Sequence, residues 1–471
     1  MKKLLIFINC LILTFSFFVP AFAAEEEEQG VKTVNGYYDI EAPDYETEIA
    51  LLVNADTDTV IYSKNADRIT APASLTKLVT AMVALNECSD LQKVITCSYD
   101  AIHSLDGTGS SVAGLVDGEK VPFEMLLYCL FLPSANDAAA VISEEFGNGD
   151  PKNFVAKMNA FVTELGCKNT HFANAHGLDD ESVKGFDKDT QNRTTASDMY
   201  LIAKKALEND TIVKISSKYG KTMPATNKSD IRYLYNTNPL LNSYSDYYYE
   251  GAIGLKTGTT DKAGTCLISS ARKDGYTYIS IAMKGVDNYV SKGVEYNSAF
   301  LMCRYMLRWA FSNIKMKILA DNTYIMGEVG VEYGRGADYV GLVCKEPVTA
   351  VVHSDISMDD LSVKLSDDFP GKVPSPVKEG DVLGTAELLY KDVKIADMEL
   401  VAYRTVKRNY LWAAFDWVGN IVKSKVFIVA VVIVVLVLIV LFFGTGKKRK
   451  QKKRRKNTIN VVKDYSKLAT K

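Results

Sequence analysis

The sequence predicts an α+β domain, an antiparallel sheet covered by helices, followed by a small all-β domain and one C-terminal membrane-spanning helix. Three observations carry this. Strand-like runs stand near residues 48–65 and 250–285, with helical patterns between them. Residues 325–405 break into short β-rich runs punctuated by Gly and Pro. Residues 426–443 read VFIVAVVIVVLVLIVLFF, an apolar run without a charge.

Residues 1–23 pair two lysines with an apolar run and end in Ala21-Phe22-Ala23, the pattern of a cleaved signal peptide. A polar acidic leader, 24–35, follows. Residues 48–65 hold two strand runs around an Asp/Thr turn, a hairpin. In APASLTKLVTAM, residues 71–82, Leu75, Leu78, Val79 and Met82 make one helical stripe. Segments 122–131 and 137–146 are apolar, and Pro133 separates them, so Ser134, Ala135 and Asn136 belong to a turn between helices. Residues 151–166 begin with Pro and end with Gly, and their stripe is Phe154, Met158, Phe161 and Leu165. Residues 194–210 form another helix with hydroxyl caps, 265–285 a hairpin turning at Asp274-Gly275, and 295–311 a closing helix. The helices and sheet make one domain over 36–318. Residues 325–405 make a small β-sandwich-like domain. Residues 406–425 form an amphipathic juxtamembrane segment whose Trp412 and Trp417 suit an interface; a plain helical linker is the alternative.

The formal charge of −2 hides an asymmetry. The tail 447–471 carries +11 and the signal peptide +2, through Lys2 and Lys3, which leaves −15 for the part between them. Lys and Arg fill KKRKQKKRRK directly after the apolar run, so the tail is expected in the cytoplasm and the rest outside it. Anionic lipid is the expected neighbour of the tail, and an acidic exported part argues against nucleic acid. Seven cysteines follow the leader, most of them in apolar runs, and read as buried thiols. A Cys88–Cys97 disulfide is the alternative.

Three clusters carry chemistry. Ser74 and Lys77 are neighbours on a helix start, where the dipole favours the neutral amine, and a neutral amine beside a hydroxyl is a base beside a nucleophile. A plain N-cap serine with a surface lysine is the other reading, and S-x-x-K also begins at Ser270, Ser312 and Ser375. Ser134-Ala135-Asn136 comes next, where either polar residue could instead cap a helix. Lys256-Thr257-Gly258, the single K-T-G of the chain, comes last, on a strand. The four histidines, at 103, 171, 176 and 353, form no H-E-x-x-H, and no G-x-S-x-G occurs, so zinc-peptidase and Ser-His-Asp chemistry are not indicated. No cofactor or metal is implied.

In order, these clusters form a motif set of penicillin-binding proteins. With LPSANDAA, NTHFANAHGLD, TTASD, YNTNPLL and GLKTGTTDKAGTCLISSARKDG, residues 36–310 resemble the serine-type D-alanyl-D-alanine carboxypeptidases, the low-molecular-mass penicillin-binding proteins of β-lactamase/transpeptidase-like fold. The β-rich region resembles that family's C-terminal domain. The resemblance implies peptidoglycan stem peptides as substrates and β-lactams as inhibitors. It implies that Ser74 is the nucleophile, Lys77 its base and Ser134 a proton relay. It further implies that Asn136, Lys256, Thr257 and Gly258 bind substrate, and that the Ser74 and Thr259 amides form the oxyanion hole. A class A β-lactamase would need E-x-x-L-N after the second cluster, and Glu164 does not supply it. A non-catalytic wall-binding protein is a third reading, which the intact Ser74, Lys77, Ser134 and Lys256 oppose. The loop from His176 to Ser182 matches the family but suggests no catalytic role.

Overall fold

The computed structural model describes residues 43–443 apart from 44, 180–189, 292, 391 and 392. The expected signal peptide, acidic leader and basic tail lie outside the described residues. The chain divides into two compact units: one holds residues up to 316 with 351–356, the other 317–350 and 357 onward.

The first unit is built on a five-stranded antiparallel sheet. Its strands are β1 (Ile49–Asn54), β2 (Thr59–Lys64), β7 (Ala252–Thr260), β8 (Gly264–Lys273) and β9 (Tyr276–Gly285), in the order β2-β1-β9-β8-β7. Three small two-stranded sheets accompany it: β3 (Val94–Thr96) with β4 (Lys120–Pro122), β5 (Gly220–Met223) with β6 (Arg232–Tyr235), and Tyr289–Ser291 with Val294–Tyr296. The sheet joins strands from both ends of the domain, as the sequence pattern requires. Asp274 and Gly275 both adopt positive φ, 52° and 85°, which fits the tight β8–β9 turn to the strand twist. All six residues of β1 are buried, as befits a strand covered on both faces. β7, the K-T-G strand, stands at the sheet edge, with one side of its backbone free of a partner strand.

The helix Lys77–Glu87 is buried from Lys77 through Ala84, so it is a central helix rather than one with a single apolar stripe. In the helix Pro151–Glu164 the fully buried side chains are Phe154, Met158 and Val162. Phe161 and Leu165 are half-buried at the margin, so the inward face is rotated from the expected stripe. Thr195 caps the helix Ala196–Leu207 by accepting from the Asp198 amide. All seven cysteines of the described residues are free thiols; six are buried and Cys88 is half-buried, so no Cys88–Cys97 bridge forms.

The second unit is all-β, with six strands in one sheet. In spatial order these are Leu361–Leu365, Val382–Tyr390, Val393–Ala402, Tyr339–Cys344, Gly327–Glu332 and Lys372–Pro374. The last two pair in parallel, the others antiparallel. Val329, Val340, Leu342, Leu388 and Leu400 form its buried face. The helix Tyr410–Lys423 follows, capped by Asn409 and without a buried residue. The helix Lys425–Phe443 then runs for 19 residues and is long and apolar enough to cross a membrane. At about 1.5 Å rise per residue it matches the hydrocarbon thickness.

Candidate active site

Ser74 lies on a single 3-10 turn, Ala73–Thr76, just ahead of the helix that Lys77 begins. Its side chain caps nothing, which removes the N-cap reading. Ala73 takes φ 48°, an unusual backbone conformation for a residue with a Cβ, immediately before the serine. The Lys77 amine is buried and lies 2.8 Å from Ser74 Oγ. It also donates to Asn136 Oδ1 at 2.5 Å and to the His176 carbonyl at 2.8 Å. Two carbonyl oxygens and the Ser74 hydroxyl therefore fix its position; a neutral amine gives its two N–H groups to the carbonyls and keeps its lone pair for the hydroxyl. Burial pushes its pKa well below the ordinary lysine range, and the nearby Lys256 charge pushes the same way, against a smaller opposing pull from Asp137. Desolvation, more than the helix dipole, makes this amine a base.

Ser134 is buried at φ 60° on the turn between the helices Phe123–Phe131 and Asn136–Phe146. The second helix has no side-chain cap, so Ser134 does not spend its hydroxyl there. The turn is pinned on both sides. The Ala135 amide donates to the Cys129 carbonyl, the Asn136 amide to the Ser111 carbonyl, and Asp137 accepts from the amides of Ala113 and Leu115.

On β7, Lys256 is buried and donates to the Thr257 carbonyl at 3.0 Å. Burial lowers its pKa to about 7. The Thr257 and Thr237 hydroxyls share a short hydrogen bond. A Cβ at Gly258 would stand 3.0 Å from both Ala73 Cβ and the Ser74 amide nitrogen. The glycine therefore lets the strand cross against the serine turn itself. Thr259, the next residue, is exposed. Segments near 74, 134 and 256 thus meet around one amine-hydroxyl pair, beside an open strand edge.

A fourth segment, the loop at His176 for which the sequence suggested no catalytic role, also reaches the site. Besides the His176 carbonyl on Lys77, Gly177 packs so tightly that a Cβ there would come within 1.9 Å of the Ala73 carbonyl oxygen. Asn174 Oδ1 accepts from the amides of His176 and Gly177, an Asx turn that aims this carbonyl. Asn192, fully buried, ties the turn down: it donates to Thr76 Oγ1 and the Asn174 carbonyl and accepts from the amides of Ala173 and Asn174. Burial and the Lys77 charge lower the His176 pKa to about 3, so its ring is neutral, and Nδ1 accepts from the Leu178 amide. The Asn-x-His-Gly string was the available signal.

Comparison with known families decides the assignment. Residues 38–287, more than half of the chain, match the family model of D-alanyl-D-alanine carboxypeptidase, peptidase family S11. The chain belongs to this family. Residues 315–408 match the C-terminal domain model of penicillin-binding protein 5. The chain is similar to D-alanyl-D-alanine carboxypeptidase DacF of Bacillus subtilis, 28% identical over 413 residues, which covers 87% of this chain and 95% of that protein. It is 34% identical over 243 residues to a D-alanyl-D-alanine carboxypeptidase of Streptomyces sp. strain K15, covering 49% and 78%. Among solved structures, the Streptomyces K15 DD-transpeptidase superposes with a TM-score of 0.50 at 29% identity, covering 58% of this chain and all of that one. Penicillin-binding protein 5 of Haemophilus influenzae superposes at 0.54 with 24% identity, over 78% of this chain and 100% of its own, a likeness of fold. As a D-alanyl-D-alanine carboxypeptidase of this serine-type family, the chain is a penicillin-binding hydrolase of peptidoglycan maturation that works through an acyl-enzyme. The β-lactamase and non-catalytic readings give way to it, and Glu164 is an exposed residue at a helix end.

Proposed function

We propose the following division of labour for the release of the terminal D-alanine. The Ser74 hydroxyl attacks the penultimate D-alanine carbonyl while its proton passes to the neutral Lys77 amine. Negative charge develops on the carbonyl oxygen and is held by the Ser74 and Thr259 amides, each such donor contributing about 10²–10³ in rate. The intermediate collapses by breaking the C–N bond. The proton on Lys77 moves through Ser134 to the departing amine, and D-alanine leaves. Water then attacks the Ser74 ester, again with Lys77 as base, and restores the hydroxyl. Asn136 orients Lys77 and holds the substrate amide. Protonated Lys256 and the Thr257 hydroxyl bind the free carboxylate, and the substrate lies along the open edge of β7. Gly258 keeps the strand close to the nucleophile. Stem peptides are the substrates and β-lactams the acylating inhibitors; no metal or cofactor takes part.

The observation that carries this reading is the buried Lys77 amine held 2.8 Å from Ser74 Oγ by Asn136 and His176. The apolar Lys425–Phe443 helix supports an anchor in the cell membrane. The basic run at 447–456 supports a cytoplasmic tail, which puts the catalytic unit outside the cytoplasm. The test is D-alanine release from a pentapeptide by the wild type and by Lys77→Ala. The reading expects steady release by the first and a loss of at least about 10³-fold in the second. Comparable rates would defeat it.

A further inference from the structure

At the carboxylate end of the cleft a hydroxyl that the hydrolysis does not use touches one that it does. After β6 the chain runs through Asn236, Thr237 and Asn238. The outer two are buried, and the threonine between them is exposed. Both neighbours are tied down. The Asn236 amide donates to the Tyr219 carbonyl, and its side chain donates to the carbonyls of Ser216 and Lys218. Asn236 Oδ1 accepts from the Asn238 amide. Asn238 Nδ2 donates to the Gly254 carbonyl of β7, and its Oδ1 accepts from the Leu240 amide. Thr237 is thereby held beside β7 without help from its own side chain.

Thr237 also joins the two walls of the cleft. Its amide donates to the Leu132 carbonyl, two residues before Ser134. Its hydroxyl meets the hydroxyl of Thr257, next to Lys256 on the K-T-G strand. Either oxygen can be the donor in that bond, and the direction decides what Thr257 can do. A hydroxyl has one proton to give and two lone pairs that accept. If Thr257 gives its proton to Thr237, it turns only lone pairs toward a carboxylate, which itself can only accept. If Thr237 gives its proton, Thr257 keeps its own for the carboxylate. The two bonds then run in one direction, from hydroxyl to hydroxyl to carboxylate, and each polarises the other. A hydrogen bond onto a charged acceptor is about twice as strong as one between neutral groups, so a seated carboxylate selects this direction.

We propose that Thr237 is a positioning residue for the substrate's terminal carboxylate: its hydroxyl donates to Thr257 Oγ1 and so turns the Thr257 proton onto the carboxylate. This rests on Lys256 and Thr257 being the seat of that carboxylate. The competing role is a brace for the segment. Bracing is already supplied by Asn236, by Asn238 and by the Thr237 amide, and the Thr237 side chain faces the open cleft rather than the core. The hydroxyl contributes to recognition of the free acid, not to the attack of Ser74.

The test uses full-length detergent-solubilised protein and the variants Thr237→Val, which keeps the shape and removes the hydroxyl, Thr237→Ser, which keeps the hydroxyl, and Thr257→Val. Release of the last residue is measured on a pentapeptide ending in a free carboxylate and on the same peptide ending in an amide, with urea midpoints as the check on folding. Thr237→Val should lower kcat/KM about tenfold on the carboxylate peptide, through KM rather than kcat, and stay within about twofold of wild type on the amidated peptide. Thr237→Ser should bring the carboxylate peptide back to within about threefold of wild type. Added to Thr257→Val, Thr237→Val should cost less than about twofold more, because it acts through that residue. No selective loss in Thr237→Val, no recovery with serine, or an undiminished further loss in the double variant would overturn the proposal. A lowered urea midpoint with equal losses on both peptides would overturn it too, since that is the mark of a brace. If Thr257→Val itself does not distinguish the carboxylate from the amidated peptide, the seat lies elsewhere, and the reading beneath the proposal falls with it.

Discussion

Replacing Gly177 by alanine tests how tightly the fourth segment holds the nucleophile. The added Cβ would lie 1.9 Å from the Ala73 carbonyl oxygen and 2.4 Å from its carbon, where ordinary contact begins at 3.4 Å. The backbone must open by about 1 Å or more, because both partners are main chain and no flexible side chain can yield. The φ of 92° adds strain of about 1–2 kcal/mol, and overpacking about 1–3 kcal/mol. Together these predict a loss of about 2–5 kcal/mol in stability. The displaced atoms are the peptide that precedes Ser74, so the nucleophile moves with them, and a misplacement near 1 Å costs about 10²-fold in rate. The assay pairs urea unfolding with the second-order rate of labelling by fluorescent penicillin. Gly275→Ala is the control: its φ is 85°, yet nothing lies within 4 Å of the new Cβ. It should lose only the strain contribution and label normally. If Gly177→Ala labels at the wild-type rate, the contact of this loop with the serine turn does not position the nucleophile.

Further outcomes follow from the same geometry. Asn192→Ala removes a buried amide that joins Thr76 to the Asn174 turn and should cost about 2–3 kcal/mol in urea unfolding, with slower penicillin labelling. Lys256→Gln should lower kcat/KM on a pentapeptide by about 10²-fold or more and leave a substrate with an amidated C-terminus almost unaffected. Activity on carboxylate substrates should fall as pH rises past about 7, where free-enzyme Lys256 loses its proton, and Lys256→Arg should move that limb to higher pH. Stability behaves oppositely. Lys256 is lowered to about 7 in the fold from an unfolded value of 10.5, so above pH 7 the unfolded chain holds the extra proton and stability rises by about 1 kcal/mol per pH unit. Near pH 9 the trend reverses, because burial raises the Cys97, Cys167, Cys266 and Cys303 thiols to about 12 while the unfolded thiols ionise. Urea midpoints at pH 7, 8.5 and 10 check both signs.

The residues that meet at the site were legible because their chemistry demands rare, short strings, and helix and strand periods placed those strings on a turn, a loop and a strand. The sheet was legible from its two terminal hairpins. The orientation of the Pro151–Glu164 helix was not: Val162, Phe161 and Leu165 are all apolar, and only packing selects Val162 for the interior. The resemblance implies only that Gly258 binds substrate; it did not reveal that the space where a Cβ would stand is taken by the Ala73 Cβ and the Ser74 amide nitrogen. His176 suggested no role because it acts through its carbonyl, which every residue possesses. Asn192 escaped because a buried amide hub has no local pattern; its partners lie in two distant stretches of chain, at Thr76 and at Ala173 and Asn174.

Peptide mass mapping after brief exposure to penicillin addresses the central claim most directly. The account predicts a single acyl adduct on Ser74, absent in Ser74→Ala and formed far more slowly in Lys77→Ala. An adduct on Ser134 or elsewhere, or undiminished labelling of Ser74→Ala, would contradict it.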